Sequence, residues 1–197
     1  SLFINLNSYK NNIRFNVETS LVSEDTLFNF NIYKLKYSLK PGDSIKMDWE
    51  IYNKPNTILR NNSPVLANGT FINNGIFPSI GYNDDGELFD NKTRKKYGLK
   101  PKERMAKATD SIARQNTYIS SDADWVSFET TVSTSDDQIA IAPGYLEKKW
   151  TENGRTYFHY KMDRPMLNFY AYQSARYEVR KDKWKDVNIE IYYHKGH

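Results

Sequence analysis

Residues 147–162 read EKKWTENGRTYFHYKM, and the centre of that stretch decides the fold. Asn153-Gly154 pairs the two residue types that best tolerate positive φ, which a tight two-residue hairpin turn requires. On its downstream arm His159 shares a parity with Tyr157 and Lys161, the polar side of a strand. An antiparallel hairpin is therefore expected here, and the same period-2 signal recurs on both sides of it.

Upstream, QIAIAPG (138–144) is a short strand ending at Pro143-Gly144. In DWVSFETTVSTS (124–135), Trp125, Ser127, Glu129 and Thr131 oppose Val126, Phe128, Thr130 and Val132. Downstream, MLNFYAYQSARYEV (166–179) and VNIEIYYH (187–194) are expected to pair across the polar turn RKDKWKD (180–186). In IEIYYHKGH (189–197), Ile189, Ile191 and Tyr193 alternate with Glu190, Tyr192 and His194, as in a strand with one buried face.

The N-terminal third carries the same alternation. Ile13, Phe15 and Val17 share one face of IRFNVETSLV (13–22). In FNFNIYKLKYSL (28–39) the apolar face switches near Tyr33, and a bulge there is expected. Pro41-Gly42-Asp43 makes a turn. SIKMDWEIYNK (44–54) then places Ile45, Met47, Trp49 and Ile51 on one face, and NGTFINNGIF (68–77) contains a further strand. The polar segment 83–115 breaks the pattern, with at most a brief helix around Lys102 to Ala108. So long an irregular stretch is expected to be an insertion or flap. Together these features predict an all-β antiparallel sandwich of about eight or more strands, formed by residues 1–197 as a single domain.

Composition fits this class. Aromatics reach 15% of 197 residues, with 15 Tyr and 10 Phe, and flat rings suit half-buried pleated surfaces. The net charge of +4 is a small difference between 28 basic and 24 acidic residues and demands no polyanionic partner. With no cysteine, disulfides, thiolate zinc sites and thiol nucleophiles are excluded. No run approaches the roughly 18 apolar residues of a membrane span. The chain opens on SLFINLNSYK without an initiator Met, and it is expected to be an excised piece of a longer protein.

Candidate chemistry is sparse. His159, His194 and His197 are the protein's three histidines, and three imidazoles can hold zinc with an open position. However, H-x-x-H on an extended segment sends its two rings in poorly related directions, so exposed strand and tail residues are the better reading. Asn83-Asp84-Asp85-Gly86-Glu87 resembles half of a calcium loop but has Arg94 where the twelfth-position Glu is needed. The basic run from Lys92 to Lys107 is interleaved with acids and lacks an aromatic stacking pair, so no nucleic-acid partner is expected. Asp122, Asp124 and Glu129 could form an acid/base pair, but nothing specifies a reaction. No G-x-S-x-G or H-E-x-x-H occurs.

The order of the C-terminal strands carries more information. IAIAPG, YFHYKMDRPMLNFYAY and VNIEIYYHKGH resemble, in that order, the end of the N-terminal β-domain of M1-family zinc aminopeptidases. Phe158, Pro165, Met166, Tyr170, Ile189, Ile191, Tyr192 and Gly196 fall in the sequence of that family's motifs. IFPSIGY (76–82) is similar to a divergent F-P-C-F-D-E-P element, with Ser79 for Cys and Gly81-Tyr82-Asn83 for Asp-Glu-Pro. The resemblance spans about Asn68 to His197 and is closest to bacterial fusions of an ABC-type permease with an M1-like peptidase.

It implies a non-catalytic β-domain on the extracytoplasmic, periplasmic face of a membrane protein, with no cofactor of its own and no membrane span in this piece. Zinc, its ligands and the G-x-M-E-N element would belong to a catalytic domain after residue 197, the expected partner, and a peptide would be the substrate. The family's Gln or Glu that grips the substrate's α-amino group is absent, leaving Asn68 as the nearest polar stand-in for substrate binding. Phe77, Pro78, Tyr82 and Trp125 are candidates for the interdomain interface or, equally, for core. The alternative is a freestanding extracytoplasmic binding module for glycan or protein ligands, with Trp150 and Trp184 as stacking platforms.

Overall fold

The computed structural model describes residues 1–6, 10–53, 64–66, 69–81, 86–103, 105–115 and 125–196. Among these the chain is all-β, built of antiparallel strands with almost no helix. The strands are β1 (Leu2–Asn5), β2 (Lys10–Phe15), β3 (Thr19–Asp25), β4 (Phe30–Leu35), β5 (Met47–Tyr52), β6 (Val65–Leu66), β7 (Gly69–Asn73) and β8 (Ser79–Ile80). After helix α1 (Asn91–Lys96) come β9 (Trp125–Val126), β10 (Glu129–Ser135), β11 (Ile139–Ile141), β12 (Tyr145–Glu152) and β13 (Arg155–Lys161). The chain continues through β14 (Met166–Leu167), β15 (Ala171–Ala175), β16 (Glu178–Trp184) and β17 (Val187–Tyr193). It divides into two compact units, Ser1–Lys54 with Gly75–Arg114 and Pro55–Asn74 with Gln115–His197.

The second unit is organised by the hairpin at Asn153-Gly154. Both residues take positive φ, 49° and 72°, and Glu152 pairs with Arg155 across the turn. β13 is the centre of a three-stranded sheet in the order β10-β13-β12, and a four-stranded sheet runs β11-β15-β7-β6. One apolar cluster draws on both sheets. Phe158 and Tyr160 from β13 pack with Ala140 of β11 and Ala142 just beyond it, joined by Val132, Ile139 and Tyr172. The Tyr160 hydroxyl donates to the Ala140 carbonyl at 2.9 Å, so its polar end is satisfied inside the layer.

Several boundaries differ from the sequence reading. DWVSFETTVSTS is broken at Ser127-Phe128 into β9 and β10, and MLNFYAYQSARYEV into β14, β15 and the start of β16. RKDKW is strand rather than turn, leaving Lys185-Asp186 to reverse the chain, with Lys185 at φ 52°. Charged residues persist through β16 because its ribbon with β17 is exposed, so no buried face excludes them. For the same reason the expected buried face of β17 is not buried: Ile189 is 40% and Ile191 54% exposed.

The first unit combines a sheet in the order β3-β4-β1-β8 with the ribbon β2-β5. Ile4 is fully buried, Phe3 stacks on Phe30 at 4.5 Å, and Phe15 meets Tyr33 edge-on at 5.1 Å. IRFNVETSLV is not one strand. It is interrupted at Asn16–Glu18, where Asn16 exchanges hydrogen bonds with the Lys46 backbone. A bulge does occur opposite Tyr33, but in the neighbouring strand β3, where the register against Tyr33 and Ile32 shifts between Leu21 and Ser23. The face switch in β4 is met instead by burying Asn31, whose amide donates to the Tyr33 hydroxyl at 3.2 Å. The turn at Pro41-Gly42 is as expected, with Gly42 at φ 92°.

Gly144 gives a direct test of how the three-stranded sheet closes. Its φ is 102°, and an added Cβ would stand 2.5 Å from the Lys161 carbonyl carbon. Gly144→Ala should lower unfolding stability by about 1–3 kcal/mol, the cost of a forced backbone conformation. Gly154→Ala should cost less, because nothing lies within 4 Å of its Cβ position. Chemical denaturation followed by tryptophan fluorescence would check the order.

Candidate functional site

Two features of the β10-β13-β12 sheet bring polar chemistry together. The first is on its outer face. Thr131 of β10 pairs with His159 of β13, and the hydroxyl lies 3.0 Å from His159 Nδ1. His159 Nε2 lies 3.2 Å from a Glu129 carboxylate oxygen and 3.6 Å from one of Glu147. Glu147 reaches the ring because the register of β12 shifts between Leu146 and Lys148, and a bulge re-aims a side chain. Lys161 also contacts Glu129, at 3.4 Å. Both imidazole nitrogens are thus engaged by groups from the two flanking strands, β10 and β12. Among the described residues no group of three or more His, Asp or Glu is arranged to hold a metal ion. His194 follows β17 without joining His159 in such a group, and His197 lies outside the described residues.

The second feature is a groove of about 450 Å³ along β10. One wall is Thr130, Thr131, Val132 and Ser133 in succession. The other is formed by the four-stranded sheet, chiefly Val65, Thr70, Ile72, Tyr172 and Ser174. The lining carries no charge. Thr130 Oγ1 and the Tyr172 hydroxyl approach to 3.4 Å across it. Its sequence signal was the run ETTVSTS, which is β-branched and hydroxyl-rich and contains no Lys, Pro or Gly.

The polar segment 83–115 has local structure where it is described. Asp90 caps α1, its carboxylate accepting from the Thr93 amide and hydroxyl at 2.7 Å each; those bonds hold its carboxyl below the usual range. Helix therefore forms at 91–96, not at 102–108, where no helix occurs among the described residues. Arg94 donates to the carbonyls of Lys100 and Leu88 and contacts Glu87, which Lys102 also contacts at 3.3 Å. Lys102 further sits 4.2 Å over the Phe89 ring. Asn83, Asp84 and Asp85 of the calcium-like loop lie outside the described residues, as do Asp122 and Asp124.

Of the interface candidates, Pro78 is buried, Phe77 is half-buried against Trp49 at 6.3 Å, and Trp125 is 70% exposed. Tyr82 and Asn68 lie outside the described residues. Of the β16-β17 ribbon, only Trp184 was singled out as a site from sequence, as a stacking platform. One of its faces carries Trp184 opposite Val187, Asp182 opposite Ile189 and Arg180 opposite Ile191. On the other, Glu190 accepts from Lys181 and from the Tyr192 hydroxyl, and these bonds lower its carboxyl. Burial first, then Glu190, push the Tyr192 hydroxyl up. Among the described residues no helix is long and apolar enough to cross a membrane.

Comparison with protein-family models, curated proteins and solved structures finds no match for this chain.

Burial, and then the neighbouring Tyr172, push Tyr170 up to about 12. An unfolded tyrosine ionises near pH 10, so unfolding favours loss of this proton. The associated stability is fully present below about pH 10 and is lost as pH rises through about 12. Wild-type protein should therefore lose stability more steeply than Tyr170→Phe over that window, as read by denaturation midpoints. Parallel curves would contradict the burial of Tyr170.

Proposed function

We propose that this chain is a non-catalytic β-domain of an M1-like zinc metallopeptidase, shaping the substrate cleft and packing on a catalytic domain that supplies zinc and its ligands. The supporting motifs are those from Asn68 to His197, and the observation that carries the reading is the exposed apolar row of β17. Val187, Ile189 and Ile191 have the alternation of a strand with a buried face, yet all three are exposed. Contiguous exposed apolar surface marks an interaction site. In the family order this strand is the one that leads into the catalytic domain, so a covering domain accounts for the mismatch between pattern and exposure. The parent would be a bacterial membrane protein with this domain on its periplasmic face. Phe77, Tyr82 and Trp125 remain the proposed interdomain contacts, Pro78 being buried as core, and Asn68 remains the proposed substrate contact.

The decisive test is the native reading frame after His197. G-x-M-E-N followed by H-E-x-x-H is expected within about one domain length; a frame that ends or continues without them would contradict the assignment. The isolated chain should bind no stoichiometric zinc and cleave no aminoacyl anilide, and zinc-dependent turnover by it would exclude a non-catalytic role.

A specific observation also favours a second reading, a freestanding glycan-binding module. Trp184 is 60% exposed at the ribbon tip, with Lys185 Nζ 4.5 Å from its ring centroid. Trp150 is less available, being half-buried and stacked on Tyr157 at 5.0 Å. Glycan-array binding lost in Trp184→Ala but kept in Trp150→Ala would support this reading over the first.

A further inference from the structure

The three-stranded sheet has two outer edges, and they are defended differently. β12 carries the register shift at Leu146/Lys148 together with Lys148 and Lys149. Bulges and lysines are devices by which an edge strand refuses a further strand. β10, at the opposite edge, runs seven residues in unbroken register with β13 and has no Lys, Pro or Gly. Nothing in its sequence discourages strand addition.

The phase of the ladder identifies the open groups. Glu152 and Arg155 flank a two-residue turn, so they bond to each other. Alternation then points the backbone groups of Tyr157, His159 and Lys161 toward β12, and those of Thr156, Phe158 and Tyr160 toward β10. Their partners on β10 are Thr134, Val132 and Thr130. Met162 N donating to the Phe128 carbonyl at 3.0 Å has the same phase. Glu129, Thr131 and Ser133 therefore aim their backbone N–H and C=O groups away from the sheet. The Ser133 carbonyl is capped by Arg155 Nη2 at 2.7 Å. The amides of Glu129, Thr131 and Ser133 and the carbonyls of Glu129 and Thr131 remain along the edge, where no strand pairs with them among the described residues.

The groove lies on that edge. Side chains of consecutive strand residues point to opposite faces, so a cleft lined by all of Thr130, Thr131, Val132 and Ser133 must run beside the backbone itself. Its far wall is the four-stranded sheet. Only an extended polypeptide offers main-chain partners at the required repeat. The uncharged lining of hydroxyls and β-branched side chains suits small, uncharged side chains.

We propose that the open edge of β10 binds an extended, uncharged peptide segment by strand addition, with Thr131 as the central main-chain donor and acceptor. This site rests on sheet geometry and not on the peptidase assignment, so either can fail without the other.

The test uses the intact chain with a capped heptapeptide of alternating threonine and valine, and its fully N-methylated twin. With peptide at about ten times its Kd, exchange of the Thr131 and Ser133 amides should slow by about tenfold, while the already bonded Thr130 and Val132 amides change less. The N-methylated twin should give no slowing. Thr131→Pro should abolish the effect, because its amide serves no β10-β13 bond. If that variant loses its native amide spectrum, Thr131→Lys makes the same test by adding an edge charge. Unchanged exchange at Thr131 and Ser133 at millimolar peptide would overturn the proposal, as would equal slowing by the twin. Protection that rises with protein concentration without peptide would also overturn it, by giving the edge to a second copy.

Discussion

The packing of Phe158 against Ala140 and Ala142 is the constraint on which the second unit depends. A large ring from the central strand of one sheet packs against the small side chains of Ala140 and Ala142, with Ile139 and Tyr172 beside them, so the two layers interdigitate there. Tyr160 extends the contact and anchors its hydroxyl on the Ala140 carbonyl. Removing a buried ring of this size typically costs about 3–5 kcal/mol, against a net stability of about 5–15 kcal/mol for a domain. Once Phe158 and Tyr160 point inward, period 2 leaves no choice for their neighbours. His159 must face outward among Glu129, Glu147 and Thr131, and β10 must lie at the sheet edge with its alternate amides turned away.

This part of the molecule was legible in the sequence because its signals agree with one another. Asn153-Gly154 sets the hairpin, the parity of Phe128, Thr130 and Val132 sets the inward face of β10, and Pro143-Gly144 ends β11. Legibility fell where a pattern is local but its partner is distant. The apolar parity of Ile189 and Ile191 is real, yet no described element covers that face, so burial could not be read from it. RKDKW looks like a turn because it is charged, although an exposed ribbon admits charge on both faces. The helix at 91–96 depends on the Asp90–Thr93 cap more than on any apolar stripe, which the segment lacks. The run ETTVSTS marks only one wall of the groove; the groove itself could not be read from it, since the facing wall comes from strands distant in sequence, Tyr172 lying 42 residues from Thr130.

The first unit has a thinner interior. Ile4, Asn31 and Pro78 are its buried residues among those described, while Leu27, Phe28, Tyr37, Phe89 and Ile112 are exposed. Its order rests on aromatic pairs such as Phe3–Phe30 and Phe15–Tyr33 and on local polar links around Asn16, Asp90 and Glu87. A buried Asn31 whose Oδ1 has no hydrogen-bond partner among the described residues adds a cost there. Stability should accordingly be uneven along the chain, with the deepest protection where the two sheets of the second unit share their core.

Native-state hydrogen exchange on the free, intact chain tests that claim most directly. The slowest amides should be those of Thr130, Val132, Phe158 and Tyr160 with Ala140 and Ser174, and β1, β4 and the β16-β17 ribbon should open at lower free energy. Slowest exchange in β1 and β4, or in the ribbon, would contradict a fold centred on Phe158.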